Sequence, residues 1–159
     1  MFNVESYTDN LEKNYQLVIK QLQALIEDED DQIANLANAS ALLNQFLDDT
    51  NWVGFYLYKN DQLILGPFQG LPACVTIAIG KGVCGTAAKQ RKTVRVADVH
   101  QFPGHIACDA ASQSEIVVPM IKDGQLIGVL DIDSPNKDRF TDVDETYLEQ
   151  FVETLVNYI

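Results

Sequence analysis

The chain has 159 residues, of which 47% are hydrophobic and 21% are charged, and its formal net charge is −12 at pH 7. This length and composition are typical of one globular domain that folds without disulfides or a structural metal. The acidic excess argues against a nucleic-acid partner, because it would repel phosphates. No apolar run is long enough to span a membrane. The N-terminus lacks the basic stretch and apolar core of a signal peptide, so we expect a cytoplasmic protein.

Two amphipathic helices are predicted within residues 1–49. Residues 9–26 carry apolar side chains at helical spacing, namely Leu11, Tyr15, Val18, Leu22 and Leu25. A second helix follows the acidic run 27–31, and its predicted apolar face consists of Ile33, Leu36, Ala37, Leu43 and Leu47. Acidic residues at the start of this helix suit the positive end of the helix dipole.

After residue 50, the spacing of apolar residues changes from the helical period to the one typical of strands. Residues 51–58 and 61–68 are rich in aromatic and β-branched side chains and predict a hairpin. Residues 69–82 predict a loop, residues 83–90 a short helix and residues 93–97 a strand. Residues 98–114 have little periodicity, and a loop of this length inside a compact domain is usually functional.

The strongest strand predictions are residues 115–121 and 125–132, which Lys122-Asp123-Gly124 joins into a hairpin. A last helix, residues 141–159, opens on Thr141 and Asp144 with the spacing of a capping box. We therefore expect one α+β domain over residues 1–159, with helices mainly on one face of an antiparallel sheet. Its parts are the N-terminal helices (1–49), the sheet with its active-site loops (50–135) and the C-terminal helix.

Three cysteines, Cys74, Cys84 and Cys108, lie outside the regular apolar patterns. An odd number in a reducing compartment argues against structural disulfides. A zinc site fits poorly, because nine residues separate the nearest two cysteines. Inert packing stays open for each of them, but redox chemistry fits better, because loops give a thiolate access to its substrate and to a partner thiol. Cys84, at the start of a predicted helix, would have its thiolate favoured by the helix dipole.

Three acidic side chains fall on the predicted β-hairpin. Asp131 and Asp133 leave the same strand face, unless the strand has already ended and both are solvated. A two-residue turn would pair Glu115 with Ile132 and turn it away from the aspartates. A three-residue loop would instead place Glu115 opposite Asp131. Three converging carboxylates would require a cation between them, an ammonium group or a metal.

These residues, read together, resemble the free methionine-(R)-sulfoxide reductases, a family of single GAF domains. The resemblance covers residues 50–135 and includes all three cysteines in their local contexts. The matching segments are Asn51-Trp52-Val53-Gly54-Phe55-Tyr56-Leu57, Leu65-Gly66-Pro67-Phe68-Gln69-Gly70, Ala73-Cys74, Gly80-Lys81-Gly82-Val83-Cys84-Gly85, Phe102-Pro103-Gly104-His105-Ile106-Ala107-Cys108-Asp109, Ser114-Glu115-Ile116-Val117-Val118-Pro119 and Ile127-Gly128-Val129-Leu130-Asp131-Ile132-Asp133-Ser134-Pro135.

The resemblance implies a six-stranded antiparallel sheet, a homodimer, and reduction of free methionine sulfoxide without a cofactor. It implies that Cys108 is the nucleophile, with Cys74 and Cys84 as candidates to resolve it, and that thioredoxin is the reductant. Glu115, Asp131 and Asp133 would hold the substrate ammonium. Trp52 and Tyr56 could form the pocket wall that contacts the S-methyl group, unless they are simply core aromatics.

Two alternatives stay open at this stage. The chain could be a non-catalytic GAF sensor of a small ligand, with incidental or redox-sensing cysteines. It could also be a thiol enzyme of different specificity on the same scaffold.

Overall fold

The computed structural model describes residues 1–105 and 109–159. The elements within these ranges are α1 (Leu11–Ile26), α2 (Gln32–Phe46), β1 (Trp52–Lys59), β2 (Gln62–Gly70), β3 (Thr76–Ala78), α3 (Gly82–Gln90), β4 (Val94–Val96), β5 (Ser114–Lys122), β6 (Gln125–Ser134) and α4 (Asp142–Val156). No helix in these ranges has the length and apolar character needed to cross a lipid bilayer.

The six strands form one antiparallel sheet in the order β3-β2-β1-β6-β5-β4. This confirms the six-stranded antiparallel sheet and the α+β class. The prediction of a continuous loop over residues 69–82 was wrong at β3. That strand has three residues and lies at the sheet edge, so it is too short to produce a recognisable alternation.

The two faces of the sheet are covered differently. Helices α1, α2 and α4 pack on one face, against apolar side chains of β1, β5 and β6 such as Phe55, Met120 and Leu130. The other face carries α3, which packs on Val117 and Val129. The prediction that helices lie mainly on one face is therefore confirmed, and the less covered face is left to form a pocket.

The predicted apolar face of α2 was partly wrong. Ile33 is 54% exposed and Ala37 is also exposed, whereas Ala39 and Phe46 are buried. At about 100° per residue, Ile33 and Ala37 lie roughly 80° and 120° around the helix axis from the buried Leu43. Ala39 and Phe46 lie roughly 40° and 60° from Leu43 on its other side, toward the buried Leu42, so they complete the buried stripe.

A β-bulge sets the register of the β5–β6 hairpin. Lys122 pairs with Gln125 across a two-residue turn whose residues, Asp123 and Gly124, have φ values of 52° and 75°. These positive values are typical of a type I′ hairpin turn. The register then shifts by one residue between Met120 and Ile121.

The consequence is that Glu115 pairs with Asp133. Both predicted pairings of Glu115, with Ile132 and with Asp131, were wrong. The turn has two residues, but the bulge supplies the extra residue that returns Glu115 to the face of Asp131 and Asp133.

Asp144 joins three segments of the helical face. It completes the predicted capping box with Thr141 at the start of α4. Its carboxylate is buried and also accepts a hydrogen bond from the Tyr15 hydroxyl of α1 (2.6 Å) and one from Arg139 (3.3 Å). Removing its charge would leave several donors without their acceptor.

We expect Asp144→Asn to lower the free energy of unfolding by about 2–4 kcal/mol, because breaking a buried charged network leaves uncompensated groups. Urea denaturation followed by circular dichroism measures this. The matched control is Asp142→Asn, two residues earlier, where the carboxylate is 94% exposed and pairs with Arg95. That change should cost less than about 1 kcal/mol. Equal losses for the two variants would contradict the role given to Asp144.

Candidate functional site

A pocket opens on the sheet face that carries α3. Its floor is made by β1, β5 and β6, and its rim by the N-terminus of α3, by residues 71–73 and by His105, Asp109 and Ser112. The side chains that line it include Trp52, Tyr56, Cys84, His105, Glu115, Asp131 and Asp133. The structure thus brings together six of the eight predicted site residues.

The carboxylates of Glu115, Asp131 and Asp133 meet on the pocket floor. Glu115 and Asp131 are each 6% exposed, and the pKa of all three is raised, mainly because burial disfavours the charged form. The neighbouring charge of Asp131 raises the pKa of Glu115 further, because like charges repel. One Asp131 oxygen, Oδ1, is buried and has no hydrogen-bond partner among the described residues. This cluster has the capacity to bind a cation.

Cys84 is a free thiol beside this cluster. It is 5% exposed and its Sγ lies 3.9 Å from Oε1 of Glu115. Burial raises the pKa of the Cys84 thiol, and the neighbouring Asp131 and Glu115 raise it further. The prediction that the helix dipole favours its thiolate was therefore wrong, because desolvation and nearby negative charge outweigh the dipole. Cys84 also packs with Val83, Ala87 and Ala88, so its site combines packing with polar contact.

The ligand atoms of Cys84, Glu115 and Asp131 all lie within 4.8 Å of one another. A thiol and two carboxylates at this spacing have the donor types of a divalent metal site. The same geometry suits a protonated amine, which three oxygen acceptors satisfy by hydrogen bonding.

Aromatic rings form the adjacent wall of the pocket. Trp52 stacks on Tyr56 with ring centroids 5.9 Å apart and on Phe68 at 5.1 Å. Gly54, between the two predicted aromatics, allows this arrangement, because a Cβ at that position would lie 2.2 Å from Cβ of Phe68.

The same two aromatic residues hold the loop that carries Cys74. The Trp52 indole N–H donates to the carbonyl of Leu71 (3.1 Å), and the Tyr56 hydroxyl donates to the carbonyl of Cys74 (2.8 Å). Cys74 is half-buried and disulfide-bonded. Cys108 lies outside the described residues, so its assignment as the nucleophile stays a prediction.

Several pocket residues had no assigned role in the sequence-based site. Nε2 of His105 lies 3.8 Å from Oε2 of Glu115, and burial lowers the pKa of this imidazole. Asp109 and Ser112 line the pocket from the same loop. His105 and Asp109 lie in one of the motif segments quoted above, whereas only the length of the loop pointed to Ser112, since short polar residues in loops are common and carry no period.

Comparisons with known proteins identify the family. A model of the GAF domain matches residues 28–159. The chain is 56% identical over 136 residues to the free methionine-R-sulfoxide reductase of Escherichia coli, and the match covers 86% of this chain and 82% of that protein. The chain belongs to the free methionine-R-sulfoxide reductases of the GAF family.

Two further relatives agree with this membership. Protein YtsP of Bacillus subtilis is 63% identical over 157 residues, which cover 98% of this chain and 96% of that protein. The free methionine-R-sulfoxide reductase of Neisseria meningitidis, solved in complex with its substrate, aligns with a TM-score of 0.95 at 42% identity. The alignment covers 99% of this chain and 95% of that one.

In this family member we expect Glu115→Gln to stabilise the protein as pH rises. The pKa of Glu115 is higher in the folded state than its ordinary value, so the folded state binds more protons and its stability falls as pH rises above about 4. Glutamine abolishes that loss, so the variant should be more stable by about 1–2 kcal/mol at pH 8 and less so at pH 4.

Urea denaturation at both pH values checks this. The matched control is Glu149→Gln on the exposed side of α4, which should change stability by less than about 0.5 kcal/mol at either pH. A variant less stable than the parent at pH 8 would contradict the assignment of Glu115 as a destabilising buried charge.

Proposed function

We propose that this protein reduces free L-methionine (R)-S-oxide to L-methionine by cysteine chemistry. The observation that carries the proposal is a buried carboxylate cluster next to an aromatic wall in one pocket. Free methionine sulfoxide has the matching groups, a cationic ammonium at one end and an S-methyl group at the other. The E. coli and N. meningitidis relatives, named for this activity, support the same conclusion.

The substrate ammonium is assigned to Glu115, Asp131 and Asp133. A cation there offsets the mutual repulsion of the carboxylates and gives the unpartnered oxygen of Asp131 a donor. Trp52 and Tyr56 contact the S-methyl group. The substrate carboxylate lies at the N-terminus of α3, where the first backbone N–H groups have no partner within the helix and the helix dipole favours an anion.

Cys108 is the proposed nucleophile. Its thiolate attacks the sulfoxide sulfur and an acid protonates the sulfoxide oxygen. The S–O bond of the substrate breaks, the resulting hydroxyl group passes to the cysteine sulfur, and methionine leaves. The cysteine is oxidised to a sulfenic acid and the sulfoxide is reduced. The raised pKa values of the three carboxyl groups make one of them the proton donor near neutral pH.

A second thiol then condenses with the sulfenic acid, releasing water and forming a disulfide. Cys74 is the better candidate for this step, since it lies half-buried in a loop while Cys84 is buried and its thiol pKa is raised. Thioredoxin or another dithiol protein reduces the disulfide, which places the reaction in a reducing compartment, the cytoplasm. A homodimer is proposed for the assembly, and light scattering measures its mass.

The test of the activity follows NADPH consumption with thioredoxin, thioredoxin reductase and the separated sulfoxide epimers of free methionine. The R epimer should be reduced and the S epimer should not. Cys108→Ser should abolish methionine formation even in a single turnover. Cys74→Ser should still give one full turnover and lose recycling, because the sulfenic acid has no partner.

Three results would count against these roles. Absence of turnover with the R epimer would reject the activity. One full turnover by Cys108→Ser would reject the nucleophile. A Cys84→Ser variant that loses recycling while Cys74→Ser keeps it would reverse the assignment of the resolving thiol.

Recognition of the ammonium can be tested separately. N-acetylmethionine sulfoxide lacks the positive charge, so its kcat/KM should be at least about 100-fold lower than that of the free amino acid, as expected for the loss of a buried ion contact. Asp131→Asn should lower kcat/KM for the free amino acid and narrow the gap between the two substrates. Equal use of both substrates by the parent protein would contradict an ammonium site at these carboxylates.

A further inference from the structure

Asn51, the residue before β1, makes contacts to the loop that follows Cys108. Its side-chain Nδ2 donates to Oδ2 of Asp109 at 2.9 Å and to the hydroxyl of Ser112 at 3.1 Å. Its backbone N–H donates to the carbonyl of Asp133 at 3.0 Å. Asn51 therefore connects the loop to the end of β6, where the carboxylate cluster lies.

Asp109 is held in place by these contacts. Its second oxygen, Oδ1, accepts from the backbone N–H of Ala111 at 2.8 Å, and its carbonyl accepts from the backbone N–H of Ser112 at 3.2 Å. Both carboxylate oxygens thus have donors, one from the loop itself and one from Asn51. Asp109 directly follows Cys108 in the chain.

Asn51 also stands between two negative groups. The negative charge of Asp109 raises the pKa of Asp133, and the nearby hydroxyl of Ser112 lowers it. Ser112 can accept from Asn51 and donate to Asp133, since a hydroxyl does both. The amide and the hydroxyl together let the two carboxylates line one pocket.

The described contacts of the Asn51 side chain are polar. Its Nδ2 makes two hydrogen bonds to the loop, and its Oδ1 is buried without a hydrogen-bond partner among the described residues. The loss of the N–H donors, rather than of side-chain volume, is therefore the change whose effect must be measured.

We propose that Asn51 is a positioning residue, whose amide holds Asp109 so that the adjacent Cys108 faces the bound sulfoxide. This inference rests on the proposed function, in which Cys108 is the nucleophile. Asn51 is absent from the pocket lining, so its action passes through Asp109 and Ser112.

Two substitutions separate this role from packing. Asn51→Leu keeps the volume and removes the N–H donors, and Asn51→Asp keeps the shape but turns a carboxylate toward Asp109. We expect the single-turnover rate to fall about 10-fold to 100-fold in the first and by about 100-fold or more in the second, as for small misplacements of reacting groups. The KM for free methionine (R)-S-oxide should stay within about threefold of the parent value.

A swap of the pair gives the sharpest test. In the double variant Asn51→Asp with Asp109→Asn, the amide introduced at position 109 can donate to the carboxylate introduced at position 51. The carbonyl oxygen of that amide can still accept from the backbone N–H of Ala111. The double variant should recover at least about 10-fold of the rate lost in Asn51→Asp, which is the sign of a direct interaction in a double-mutant cycle. Asn51→Ser, which only removes the amide, replaces Asn51→Leu if the latter does not fold.

Asn35 provides the matched control. Its Nδ2 also donates two hydrogen bonds, to the carbonyls of Glu29 and Tyr158, and its Oδ1 is also buried without a described partner, but it lies on the helical face away from the pocket. Asn35→Leu should change thermal stability and leave the single-turnover rate within about twofold.

The outcomes are distinct. Single-turnover rates within about twofold of the parent in Asn51→Leu (or Asn51→Ser) and Asn51→Asp would overturn the inference, as would a double variant no faster than Asn51→Asp. Full turnover by Cys108→Ser would instead reject the nucleophile, whatever the Asn51 variants do.

Discussion

The burial of three carboxylates on one sheet face is the constraint on which the site depends. Like charges in a space of low polarity repel one another and lose hydration, so the pKa of each is raised. The described residues near them supply a neutral thiol and an imidazole whose pKa is lowered, and neither offsets the negative charge. The protein therefore gives up stability for an arrangement that protonation or a bound cation relieves, a common feature of functional sites.

The scaffold makes this arrangement possible because the two faces of the sheet differ: one packs against the core helices and the other lines the pocket. Alternate residues of β1, β5 and β6 pack into the core beneath α1, α2 and α4, where Phe55, Met120 and Leu130 are buried. The intervening residues face the pocket. Each strand residue of the site is therefore held in place by neighbours in the same strand that pack into the core on the opposite face of the sheet. The bulge in the β5–β6 hairpin is decisive, because without its extra residue Glu115 would point into the apolar core and the cluster would have two members.

The sequence predicted the class of fold and most of the site, and the failures have physical causes. Helical and strand periods located nine of the ten elements, and the resemblance supplied the sixth strand. Glu115 could not be placed, because a bulge leaves no mark in the hydrophobic pattern. Nor could the effect of the helix dipole on Cys84 be weighed against burial and the carboxylates, since the balance depends on three-dimensional neighbours. Asn51 was noticed only as part of a motif, because its contacts join segments about 60 residues apart.

Burial of the carboxylates affects both the affinity of this pocket for a cation and its ability to hold a proton. A carboxylate cluster in water would bind an ammonium weakly and stay ionised near neutral pH, and so would give neither selectivity nor an acid. Burying it strengthens the attraction for a cation and raises the affinity of the remaining oxygens for a proton. A ligand with one positive charge compensates part of the cluster and leaves a carboxyl group able to keep its proton. In the proposed mechanism the third carboxylate is therefore needed for more than binding: the ammonium would largely offset two negative groups, whereas a third would keep a proton for the sulfoxide oxygen.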